Sequence, residues 1–215
     1  MGYTHYWYRK KTIDPDTYKA IVDDFSKLVP ILEREGVKLA GGLGEGDPQL
    51  DYNVVSFNGQ RNCGHPRNHA ICIAWASPNA QGVGSSPSDI DGQWFAGRYL
   101  VKRCCDGDCS HETCYFPRVI TEQEPIGEIC YYDMARKPVY NERAKVGKYF
   151  DFCKTAFKPY DWAVTAFLVI AKHYLGDQII VRSDGTPANW QDARLLCQLE
   201  LGYGMGDAIE CQEIQ

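Results

Sequence analysis

Long apolar runs are missing from this sequence. The longest, WAVTAFLVIA at residues 162–171, is about half the length a helix needs to cross a bilayer, so it is expected as a buried helix and no membrane contact is expected. The N-terminus, MGYTHYWYRKK, has no apolar segment of the kind that marks a secretory signal. Tyr6 stands where a myristoylation pattern starting at Gly2 carries Ser or Thr. No KDEL-like or peroxisomal tail ends the chain, and the expected compartment is the cytoplasm. Positive charge is also in short supply. The 23 Lys and Arg are outnumbered by 28 Asp and Glu, and a net charge of −5 argues against general nucleic-acid binding, which needs a basic surface. GxSxG, HExxH, Walker and EF-hand patterns are all absent, so none of those chemistries is indicated.

What is present is an ordinary globular balance, with 44% hydrophobic and 24% charged residues. The 215 residues suit one domain, 1–215, able to bury a core without staples. Residues 60–110 differ from the rest. They are rich in Gly, Pro, Ser and Asp, show little periodicity and cluster Cys and His, so they read as a loop-rich insertion with short strands such as AICIAWA.

The flanking segments carry clear patterns. GYTHYWYR reads as a strand, and DPDTYKAIVDDFSKLVPILERE as an amphipathic helix. Asp14 is its expected N-cap, Pro15 its first residue, and Pro30 a potential kink. GGLGEGDPQLD is only superficially like a phosphate loop, because no helix opens after it. NVVSFNG and QIIVRS read as strands, and ETCYFPRVI as a strand returning to the main sheet. YFDFCKTAF reads as a strand or strand end, followed by a helix opening at Asp161, and a last helix covers about 187–201. The expected fold is α+β: a mostly antiparallel sheet with about three packed helices and a long Cys/His-rich insertion.

MGYTHYW, CSHETCYFPR and FDFCKTAFKPYD together resemble a family of uncharacterised small proteins found in fungi, bacteria and phages. The resemblance covers both ends and the middle of the chain. It implies a shared core elaborated by the insertion and supplies no activity. Two positions depart from the family pattern: Cys114 replaces the Phe of HETF, and Phe157 replaces the Arg of CKTARKPYD. If that Arg helps hold an anion, this chain has one cation fewer for the task.

Three groups of residues could carry chemistry. Lys154, Thr155, Lys158 and Tyr160 precede a helix N-terminus, where unpaired N–H groups and the dipole favour phosphate or carboxylate. The same residues also read as a structural joint, with Asp161 as a cap. For proton transfer or nucleophilic attack the candidates are His111, Glu112, Cys153 and His5. His111 is the better general base, and Cys153 is a thiol beside a cation. On a strand, His111 and Glu112 would point to opposite faces. The third group is CGHPRNHAIC with CCDGDCSHETC, giving Cys63, His65, His69, Cys72, Cys104, Cys105, Cys109 and Cys114 as candidate ligands of structural zinc. No CxxC pair is present, so one site mixing both clusters fits better than two complete sites. Disulfides or free thiols are the alternatives.

Two functions follow. One is a hydrolase or transferase acting on a small anionic or phosphate-bearing substrate, with His111 moving the proton. The other is a non-catalytic binding or interaction module whose insertion is stabilised by zinc or disulfides. A pocket uniting His5, His111 and Lys154 would favour the enzyme; scattered positions would favour the module.

Overall fold

The computed structural model describes residues 3–76, 92–95, 98–121, 129–140, 148–206 and 208–211. The fold is α+β: the described residues form mostly antiparallel sheets, three α-helices and a Cys/His-rich insertion. The strands are β1 (Thr4–Arg9), β2 (Leu39–Ala40), β3 (Gln49–Leu50), β4 (Val54–Gly59), β5 (Ala70–Ala76), β6 (Gly92–Phe95), β7 (Arg98–Cys104), β8 (Cys114–Pro117), β9 (Ile129–Tyr132), β10 (Pro138–Tyr140), β11 (Tyr149–Lys154), β12 (Ile179–Ser183) and β13 (Glu210–Cys211). The helices are α1 (Pro15–Arg34), α2 (Asp161–Leu175) and α3 (Gln191–Leu201).

Two sheets share one core. The first has the order β11-β1-β12-β13, with β1 antiparallel to both neighbours and β13 parallel to β12. In the second, β4 pairs with β2, β3 and β8. The strand over Cys114–Pro117 therefore joins β4 and not the sheet built on β1. Alternation fixes which side chains of the first sheet turn inward. His5, Trp7 and Arg9 on β1 are fully buried, as are Cys153 on β11 and Val181 on β12. They face α2, whose residues Asp161–Ala171 are all buried. Phe167 sits where the layers meet, with its ring 5.1–5.2 Å from those of Phe25 and Phe116.

α1 starts as its sequence predicts. The Asp14 carboxylate accepts the Asp16 and Thr17 backbone N–H groups, and Pro15 supplies a helical φ with no N–H to lose. Pro30 lies inside the helix, which runs on to Arg34. α2 starts differently from expectation. Its N-cap is Tyr160, with no side-chain cap, and Asp161 is the first helical residue. The insertion is more regular than its composition suggests. β5, β7 and β6 form an antiparallel three-stranded sheet, with Ala70 opposite Cys104 and Ala76 opposite Arg98.

Candidate metal centre

The sheet of the insertion springs from two loops, and both bring cysteines to the same place. Residues 60–69 lead into β5, and residues 105–113 lead out of β7. A backbone bond from the Cys105 N–H to the His69 carbonyl, 2.9 Å, holds the loops together. Left-handed turns at Gly64 and at Asp106–Gly107 fold each loop back sharply. Gly59, at the end of β4, admits the second loop. A Cβ there would stand 1.9 Å from the Cys109 carbonyl oxygen, so any larger residue would push the loop away.

Cys63, His65, Cys105 and Cys109 lie with their ligand atoms all within 4.8 Å of one another, close enough to hold a metal ion. The Cys63 and Cys105 sulfurs are 3.3 Å apart, and those of Cys105 and Cys109 3.2 Å. His65 Nδ1 is 3.5 Å from the Cys109 sulfur. Sulfurs on a tetrahedral ion with 2.3 Å bonds are about 3.8 Å apart, so a metal needs only about half an ångström of opening. None of the described cysteines forms a disulfide.

Crowding also decides which thiols ionise. Burial, followed by the neighbouring thiols Cys105 and Cys63, pushes Cys109 far above the ordinary thiol range. Burial likewise leads the causes that raise Cys105. Cys63 goes the other way: burial opposes ionisation, but the His65 backbone N–H and the thiols of Cys105 and Cys109 outweigh it and lower its pKa. Burial, then the adjacent His69, lowers His65 and favours the neutral imidazole that binds metals.

The other candidate ligands lie elsewhere. His69 stacks on the His65 ring, centroids 4.0 Å apart, and is not part of the four-residue cluster. Cys104, the last residue of β7, is exposed. Cys114 is buried and interacts with Cys153 across the core. The Cys72 side chain lies outside the described residues.

The candidate catalytic and anion-binding residues fall into two separate places. His111 and Glu112 precede β8 and do not lie on a strand. Both reach the Lys154 backbone: His111 Nδ1 donates to the Lys154 carbonyl at 2.7 Å, and Glu112 Oε2 accepts the Lys154 N–H at 2.8 Å. The Lys154 ammonium is 3.7 Å from Glu112 Oε1. Tyr160 is buried, and its hydroxyl donates to the Glu112 carbonyl at 2.7 Å. Lys158 donates to the Cys105 carbonyl at 2.6 Å and lies 3.6 Å from the Asp106 carboxylate. Its side chain is only 12% exposed, so it braces the second metal-side loop. Because a cation bonded to a half-buried carbonyl contributes about 1.5–3 kcal/mol, Lys158→Ala should lower stability by that amount in denaturant melts, while sulfate leaves the wild-type midpoint unmoved. A sulfate-dependent rise that the variant loses would instead mark an anion site.

The second place is a buried ionic network that the sequence did not announce. His5 Nε2 lies 2.7 Å from Asp161 Oδ1, and His5 Nδ1 lies 3.0 Å from the Ser183 hydroxyl. The Thr155 hydroxyl donates to Asp161 Oδ1 at 2.5 Å. Arg103, from β7, donates Nε to Asp161 Oδ2 at 3.0 Å and both terminal nitrogens to Asp192. His5, Arg103, Thr155, Asp161 and Asp192 have no exposed surface. Burial opposes the charge on Asp161, but His5, Arg103 and Thr155 outweigh it and lower its pKa, whereas burial wins at Asp192 and raises it. Phe157 stands here too, its ring centroid 5.1 Å from the Arg103 guanidinium. Arg103 lies in the stretch expected to be loop-rich, beside Lys102, and its burial reveals its role.

Compared with known proteins, the chain matches no family model, no curated protein and no solved structure. Among the described residues, no helix is long and apolar enough to cross a membrane.

Proposed function

We propose that Cys63, His65, Cys105 and Cys109 bind one zinc ion, and that the protein is a non-catalytic binding or interaction module whose insertion is fastened by that ion. One observation carries this reading: four ligand atoms, from two loops that meet at one end of an inserted sheet, converge within 4.8 Å. Thiolate and imidazole donors suit zinc. Four protein ligands close a tetrahedral shell and leave no position for a substrate or an activated water, which is the character of a structural site. A dication would also offset the repulsion among three crowded thiolates.

The enzyme reading has less support. His5 is wholly buried and His111 is exposed, so the two side chains do not face one common solvent-filled site. Lys158, Thr155 and Tyr160 spend their donors on protein oxygens. The motifs that resemble those of the fungal, bacterial and phage proteins lie on β1, on the approach to β8, and on β11 with the loop before α2. On this reading the shared part is the core, and the metal centre belongs to the elaboration.

The native protein should carry one zinc per chain by elemental analysis. Cobalt substitution should give the ligand-field bands of a tetrahedral thiolate site, and Cys105→Ser should lose them. Gly59→Ala should weaken the metal by displacing Cys109 while leaving every ligand in place. Protein that stays metal-free after reconstitution, with all its thiols reactive, would overturn the assignment.

A further inference from the structure

The same four residues have an open side. A cleft of about 290 Å³ adjoins them, walled by Cys63, His65 and Cys109 together with Lys38 and Gln60. Cys63 is half-buried, whereas Cys105 has no exposed surface and does not line the cleft. Cys105 stands between the other two sulfurs, 3.3 Å from Cys63 and 3.2 Å from Cys109.

We propose that Cys63 is a modification site for hydroperoxides entering this cleft, and that its oxidation ends in a Cys63–Cys105 disulfide that expels the metal. The proposal rests on the zinc reading for its consequence, but not for its chemistry. The Cys63 thiolate attacks the distal peroxide oxygen. An S–O bond forms, the O–O bond breaks, and the leaving alkoxide or hydroxide takes a proton from water. The Cys105 sulfur then attacks the Cys63 sulfur. The S–S bond forms, the S–O bond breaks, and hydroxide leaves as water, protonated by the Cys105 thiol or by solvent. The two sulfurs have lost two electrons, and one peroxide has been reduced.

Geometry selects this pair. Cys63 is the more accessible partner, and Cys105 is the sulfur beside it that solvent does not reach, which suits a resolving thiol. The sulfurs must close from 3.3 Å to about 2.05 Å. A Cys105–Cys109 bond would close only a short local loop, whereas Cys63–Cys105 ties the same two loops that the ion ties. The insertion therefore exchanges one fastener for another. Losing two of four ligands releases the ion, and a dithiol reductant reverses the process.

The test treats zinc-loaded full-length protein with hydrogen peroxide and follows zinc with a chromogenic chelator. Peptide mapping then locates the bond. The expected result is one zinc released and two thiols lost per chain, a Cys63–Cys105 linkage, and recovery with dithiothreitol and zinc. Gln60→Trp, which fills the cleft while leaving every ligand residue in place, should slow release roughly tenfold because access limits thiol reactivity. Cys104→Ser should behave as wild type. Retained zinc, a Cys105–Cys109 linkage, or unchanged release in Gln60→Trp would overturn the proposal. If the protein holds no metal at all, the zinc reading fails by itself. Peroxide treatment of that metal-free protein still decides the modification, since a Cys63–Cys105 bond supports it and its absence refutes it.

Discussion

Arg103→Met should lower the free energy of unfolding by about 3–5 kcal/mol, because removing one member of a buried ion pair leaves its partners charged and unsolvated. Among the described residues Arg103 is the one guanidinium in the network, and it donates to two fully buried carboxylates, Asp161 and Asp192. Asp161 keeps His5 and Thr155 as partners. Asp192 is left, among the described residues, with the backbone N–H of Ala193, so the stranded charge falls mainly there. That asymmetry gives an internal control. The double variant Arg103→Met with Asp192→Leu should be more stable than Arg103→Met alone, since the unpaired carboxylate is then gone. Denaturant melts of the three proteins decide the matter. A single variant within about 1 kcal/mol of wild type would mean that water reaches the network.

Phe167→Ala should cost a similar amount, about 3–5 kcal/mol, through the lost burial of the ring and the cavity left behind. The reason is position. Phe167 meets Phe25 from α1 edge-on at 5.2 Å, Phe116 from β8 at 5.1 Å and Phe57 from β4 at 6.2 Å. Its neighbours along α2 are themselves wholly buried, so no mobile surface group can swing in to fill the space. Equilibrium unfolding measures the effect. A loss below about 1 kcal/mol would show that the surrounding rings collapse into the cavity.

The sequence was readable where local chemistry decides the outcome. Asp14 and Pro15 announce α1 because cap and first turn lie within a few residues of each other. The apolar surround of α2 announces its burial. Asp161 reads as an N-cap because short polar residues before a helix usually cap it, but it is the first helical residue. Its carboxylate instead serves His5, Thr155 and Arg103, and two of these are distant in sequence. The same limit hid β7: RYLVKRC alternates an exposed Lys102 with a buried Arg103, and burying an arginine needs carboxylates from α2 and α3. At the metal centre the two Cys/His runs were legible, but their members were not. His65 joins Cys63 because Gly64 turns left-handed between them, while Cys104 and Cys105 part company at the end of a strand. The two-residue strand β13 leaves no periodic signal at all.

The central place of β1 carries a consequence for the timing of synthesis. Thr4 pairs with Lys154, and His5 with Ser183, so β1 is made well before both of its partners, which lie about 150–180 residues downstream. During synthesis Trp7 and its neighbours on β1 precede both partner strands, with α1 and the insertion lying between them in the sequence. Long-range pairing of this kind is slow, because loop-closure entropy is lost before any contact repays it. A nascent chain stalled before Tyr149 should therefore stay open to protease cleavage within Thr4–Arg9. Protection at that length would mean that β1 first docks on something other than its final neighbours.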